Sequence, residues 1–317
     1  MCLGPATDDG GGTRPETCAS VASDAPDRTA AAQIGAGSGL WYRHQSVDFG
    51  GMNFQGMQYQ GAMKNVGAAG MTASFDNVTA SDQDVFNNLF EGNSSITSVT
   101  GSNLDFSSMR SVDGMFSGVS SLDTASFDGV NMANASGLDG MLRDSSFSSF
   151  TMNNATATLA TTDTNFQAGA DNLTDLTLSN INAPNLTSVD GILNNSLSLT
   201  NVDLSGAGTN LSSVTSLNGA ADGSLSLSSV TLDGANLSSV TDVTGMTNNL
   251  GSSTEVSVLG TDFSSMTAEG FTSVGSSSFL MDNTTSLSTG AVTMDLFTNS
   301  FETYNTNYST NFNFMTP

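Results

Sequence analysis

Leu227-Ser-Ser-Val230-Thr-Leu232-Asp-Gly-Ala-Asn-Leu237-Ser-Ser-Val240-Thr-Asp-Val243-Thr-Gly-Met246 is the stretch that decides the fold. Its first part ends in V-x-L, an alternation that puts two side chains on one face of a strand. Its second part spaces apolar residues three apart, at Leu237, Val240 and Val243, which predicts one short helical or 3₁₀ turn opened by Ser or Thr. Gly and Asn between the two parts supply tight turns.

The same pattern runs along the chain in both directions. Phe106-Ser-Ser-Met109-Arg-Ser-Val112-Asp-Gly-Met115-Phe116 is echoed by Met132-Ala-Asn-Ala135-Ser-Gly-Leu138-Asp-Gly-Met141-Leu142, Leu186-Thr-Ser-Val189-Asp-Gly-Ile192-Leu193, Leu211-Ser-Ser-Val214 and Phe263-Ser-Ser-Met266. With Leu159 as a weaker member, the first positions are 106, 132, 159, 186, 211, 237 and 263, a period of 25 to 27 residues. Backward steps land on Ala80 and Phe54, and a degraded unit lies around Ala291, Met294 and Phe297. A second element keeps step: Ile96-x-x-Val99, Leu122-x-x-Ala125, Phe147-x-x-Phe150, Leu173-x-x-Leu176, Leu199-x-x-Val202 and Leu227-x-x-Val230. One unit cannot bury its own apolar side chains, whereas stacked units share a continuous core. The expected architecture is a repeat solenoid, a leucine-rich-repeat-like stack of one short strand plus one short helical or 3₁₀ segment per unit of about 26 residues. Some nine to ten units over residues 41–300 would form a rod about 50 Å long at ~4.8 Å per strand.

Leu199-Thr-Asn-Val-Asp-Leu204-Ser, the 227–246 stretch and Ser111-Val-Asp-Gly-Met-Phe116 together resemble the degenerate unit of the BspA-like leucine-rich-repeat surface proteins. The resemblance covers about residues 50 to 300 and implies an exposed solenoid used for adhesion or recognition on a cell surface or another particle. Unlike that family, the units lack frequent Trp, and the region near Leu159 is irregular.

Composition narrows the partners. The 317 residues include 49 Ser, 38 Thr and 30 Asn, with 30 acidic against 6 basic side chains and a formal charge of −24. No Lys or Arg occurs from Asp144 to Pro317. Nucleic acid and anionic membrane surfaces both need a cationic footprint, so neither is an expected partner. No 18-residue apolar run marks a transmembrane segment, and no apolar stretch after a basic start marks a secretory leader. Either a leader has been removed or the protein reaches an exposed location without one, as virion proteins do.

Catalytic and metal chemistry have little to work with. His44, the only histidine, sits beside Trp41, Tyr42 and Arg43 and reads as a cap or interface residue rather than a catalytic base. Phosphate-loop, dinucleotide and Cys/His metal spacings do not occur. Cofactors are therefore not expected. Calcium is the one ion with candidate oxygen ligands, at Asp163, Asn165, Asp171 and Asp175, but Thr174 stands where a calcium loop closes on a carboxylate. A solvated acidic face is the preferred reading of these residues. The sequons at Asn77, Asn172, Asn185 and Asn236 follow from composition. An ice-binding face would need a regular Thr ladder, and Thr positions do not keep register in the sequence.

Both termini differ from the array. Residues 1–40 read as a flexible tail or attachment segment carrying Cys2 and Cys18, which could form one disulfide, remain two thiols, or carry a lipid at Cys2. Residues 301–317 read as an aromatic cap or a docking segment, with Phe301, Tyr304, Tyr308, Phe312 and Phe314; Trp41 and Tyr42 are the matching candidates at the other end. Met52, Met57, Met63 and Met71 read as core filler. The expected protein is non-enzymatic, extracellular or surface-exposed, and meets a protein or carbohydrate surface or assembles with itself. A bacteriophage tail-fibre or decoration protein is the alternative, and a glycan-processing enzyme a second.

Overall fold

A computed structural model describes residues 46–54, 69–81, 86, 90, 93–161, 166, 170–189, 192–193, 196–243, 254–266, 278–280 and 286–287. Its strands are β1 (Ser46–Asp48), β2 (Asn53–Phe54), β3 (Met71–Ser74), β4 (Thr79–Ala80), β5 (Ile96–Ser102), β6 (Thr124–Asp128), β7 (Ser149–Asn153), β8 (Asp175–Thr177), β9 (Asn201–Asp203), β10 (Ser229–Thr231), β11 (Glu255–Ser257), β12 (Asp262–Phe263), β13 (Ser278–Leu280) and β14 (Ser286–Leu287). Ten of them form one parallel sheet in the order β1-β3-β5-β6-β7-β8-β9-β10-β11-β13. The chain is thus a parallel β-solenoid in which each circuit returns one strand to the same sheet.

The strand alternation read from the sequence holds. Ala125 and Phe127 of β6 and Phe150 and Met152 of β7 are buried, while Thr124, Ser126, Ser149 and Thr151 face outward. Partners lie one repeat apart, as in Val99↔Ala125, Ala125↔Phe150, Phe150↔Leu176 and Leu176↔Val202. Like residues therefore stack on like, and inward side chains of successive rungs touch. A second parallel ladder turns the corner. It begins with β2 on β4, continues through the single bridges Thr79↔Asp105, Asp105↔Asn131, Asn131↔Thr156, Thr156↔Asn182, Asn182↔Asn210, Asn210↔Asn236 and Asn236↔Asp262, and ends with β12 on β14.

The sharp bend between the two ladders has a specific backbone cause. Gly51, Asn77, Asn103, Gly129, Asn154, Asn180, Gly206, Gly234 and Gly260 occupy equivalent places on successive rungs, and every one has positive φ. Gly enters that region freely, and Asn or Asp do so at less cost than other side chains. Two residues further on, or four after Gly206, an Asx turn starts the next side on several rungs. Asp105, Asn131, Asn210, Asn236 and Asp262 accept the N–H of the residue two ahead through Oδ1, at 3.0, 3.2, 3.3, 3.2 and 3.0 Å.

The core is graded. From Phe49 to Phe166 the interior is a chain of rings with centroids 4.7 to 6.4 Å apart. Phe116 alone meets Phe86, Phe127, Phe147 and Phe150. Beyond Phe166 the interior is built mainly from Leu, Val and Ala, such as Leu176, Val202, Val230 and Val256.

Two expectations need correction. Among the described residues helix is confined to Phe86 and Phe90. The apolar spacing of three marks a single corner turn instead: the N–H groups of Met109, Val214, Val240 and Met266 each donate to the carbonyl three residues back, at Phe106, Leu211, Leu237 and Phe263. One such bond closes a turn, and the next amide pairs with the neighbouring rung, as Thr241 N–H does with the Thr215 carbonyl, so no helix propagates. The register in the middle of the array also differs. The residues equivalent to Phe106 and Leu237 are Ala157 and Ala183, both fully buried, and not Leu159 and Leu186. Leu159 is 49% exposed. Alanine at the inward position carries little hydrophobic signal, which let neighbouring leucines stand in for it. The Asn182–Asn210 step then measures 28 residues. The two extra residues lie between Gly206 and Asn210, where Thr209 folds back with its N–H to the Gly206 carbonyl and its hydroxyl to the Ser205 carbonyl.

Candidate recognition surface

The Ser, Thr and Asn side chains of this surface divide by what they bond to. On the corners, hydroxyls tie one rung to the next by donating to backbone carbonyls one repeat earlier. Thr200 donates to Thr174 and Ser228 to Thr200, at 3.0 and 2.9 Å, while the single Thr174 proton is shared between the Ser148 carbonyl at 2.9 Å and the Asp175 carboxylate at 2.7 Å. On another corner Ser136 donates to Arg110 and Thr187 to Thr161, at 3.2 and 2.9 Å. Asn134 and Asn185 use their side-chain amides in the same way on Ser107 and Thr158, both at 2.6 Å. Most of these bonds are exposed and two are half-buried, and together they tie each rung to the one before it.

The outer face of the ten-stranded sheet is different. Over β3 to β7 the strand pairing lines up one rank of Thr72, Ser98, Thr124 and Ser149, and a second of Ser74, Thr100, Ser126 and Thr151. None of these eight hydroxyls has a hydrogen-bond partner among the described residues. Neither rank holds a charge there. Thr positions alone do not keep register, but Ser and Thr together do, which the sequence reading missed. Each strand carries the pattern [S/T]-x-[S/T], at Thr72-Ala-Ser74, Ser98-Val-Thr100, Thr124-Ala-Ser126 and Ser149-Phe-Thr151, but the pattern also occurs off the sheet, as at Thr156-Ala-Thr158, and only strand pairing singles out these four.

Farther along the ranks become acidic, with Asp175, Asp203 and Glu255. Asp175 accepts the Asn201 side-chain amide and the Thr174 hydroxyl, both at 2.7 Å. These two hydrogen bonds hold its carboxyl below the usual carboxylate range, against a smaller opposing effect of burial.

Asp175 is accordingly part of the sheet surface, and Asp171 is an exposed residue ahead of β8. The other calcium candidates, Asp163 and Asn165, lie outside the described residues. Among the described residues no three His, Cys, Asp or Glu side chains are placed to hold a metal ion. Phe301, Tyr304, Tyr308, Phe312, Phe314, Trp41, Tyr42, His44, Cys2 and Cys18 also lie outside the described residues, as do the 1–40 and 301–317 segments. Of the methionines, Met71 is fully buried and Met52 packs half-buried on the core, while Met57 and Met63 fall outside. No helix among the described residues is long and apolar enough to cross a membrane. Comparison with protein-family models, curated proteins and solved structures finds no match to this chain.

Proposed function

We propose that the chain is a non-enzymatic repeat protein that presents an extended face for recognition or assembly at an exposed surface, in the manner of the BspA-like leucine-rich-repeat proteins. The observation that supports this reading is the uninterrupted parallel sheet, which sets outward side chains in continuous ranks. A flat array of small polar groups suits wide, wet contacts with a surface better than enclosure of a small substrate. The carrier is a cell surface or a virion.

The test is a polysaccharide and protein array probed with the full chain, together with immunogold labelling of the native source. Binding weakened by lysines placed on the outward ranks, with label on an exterior surface, supports the reading. Labelling confined to the cell interior, or turnover of a polysaccharide by the purified chain, would replace it.

A further inference from the structure

We propose that the outer face of β3 to β7 is an ice-binding surface, whose two hydroxyl ranks hold water in the two-dimensional order of an ice face. The inference rests on the surface-recognition reading and names its partner. Strand pairing spaces the ranks' members about 4.8 Å apart along the solenoid, and the strand rise sets the ranks about 6.6 Å apart. A backbone ladder, not side-chain choice, thus imposes a repeat of the same order as that of oxygens on a crystal of ice. Thr100, Ser126 and Thr151 exemplify a rank anchored from beneath by Val99, Ala125 and Phe150, all buried in the core.

Three further observations select this occupant. Hydroxyls on the corners are bonded to the neighbouring rung, and Ser102 at the edge of this face donates to Asp76, whereas the eight hydroxyls of the two ranks have no partner among the described residues, which leaves them to water. Within β3, β5, β6 and β7 the two ranks hold no carboxylate; Asp48 beside Ser74, Asp128 beyond Ser126 and Asp175 beside Ser149 border the patch without entering it. The ranks also hold no aromatic ring on which a sugar could stack.

The test grows ice slowly from a solution of the full chain and measures the protein incorporated against an inert protein of similar mass. The wild type is expected in the ice. Thr100→Lys with Thr151→Lys should lose that enrichment, whereas Leu159→Lys, on an exposed position off the sheet, should keep it. Thr100→Val with Thr151→Val preserves β-branched shape, and is also expected to lose enrichment if the lysine variant does not fold. Exclusion of the wild type from ice, or enrichment unchanged in folded Val variants, overturns the proposal. Retention of an ice-excluded wild type on microcrystalline cellulose, lost in the same variants, also overturns it but leaves surface recognition standing.

Discussion

Replacing Gly206 with Ala probes the bend that turns each rung. Gly206 has φ of +115°, farther from the left-handed basin than the other members of its ladder. A Cβ there would sit 2.1 Å from Asn180 Oδ1, 2.7 Å from its Cγ and 3.2 Å from its backbone nitrogen. The backbone conformation alone costs an L-residue about 1–3 kcal/mol. Moving the Asn180 amide aside also weakens the bond it accepts from Gly208 N–H, now 3.2 Å, for about 1 kcal/mol more. Gly206→Ala should therefore lose about 2–4 kcal/mol. Gly260→Asn is the control: its φ of +68° resembles that of rungs where Asn is native, so the change should stay within about 0.5 kcal/mol. Combining Gly206→Ala with Asn180→Gly removes the collision with the side chain and should recover roughly 1 kcal/mol of the loss. Urea unfolding followed by far-UV circular dichroism measures all of these, and hydrogen exchange should show the damage on the rungs around 206, because stacked repeats couple to their neighbours. If Gly206→Ala and Gly260→Asn unfold at the same midpoint, the bend does not depend on this ladder as argued.

Phe116→Ala removes the ring that meets four others and should destabilise by about 3–5 kcal/mol, whereas Leu159→Ala at a half-exposed position should cost little; thermal melts of both decide. Asn236→Ala deletes an Asx turn and should lose about 1 kcal/mol in urea titration, while Asn236→Asp should be tolerated because Asp105 and Asp262 fill the same place on their own rungs. Asp175 titrates below the ordinary range when folded, so its contribution is present above the unfolded carboxylate value and disappears as pH falls through the folded one. The stability gap between wild type and Asp175→Asn should therefore close on acidification; a gap that widens would contradict the assigned hydrogen bonds.

How far the fold was legible depends on which residues carried the signal. Wherever the inward positions are large, as at Phe106, Met132, Leu211 and Leu237, the apolar period gave the rung boundaries. Where Ala157 and Ala183 take those positions, the register slipped onto Leu159 and Leu186. The apolar triplets suggested short helices because a spacing of three is common to a 3₁₀ turn and to a single hydrogen-bonded corner, and only the partner of the next amide distinguishes them. The hydroxyl face was hidden by abundance. With 49 Ser and 38 Thr, no single residue stands out, and a ladder of mixed Ser and Thr has no signature until strand pairing aligns it.

By itself, then, the sequence determined that this protein is a solenoid with a period of about 26 residues, with strand alternation at V-x-L and bends at Gly or Asn. These are local or periodic properties, set by side-chain size, hydropathy and backbone freedom. Which hydroxyls are tied to the neighbouring rung and which are left facing water was decided only by the tertiary structure. That division depends on the offset between adjacent rungs, including the 28-residue step at Asn182–Asn210, and the offset is settled by interstrand hydrogen bonds between residues far apart in the chain.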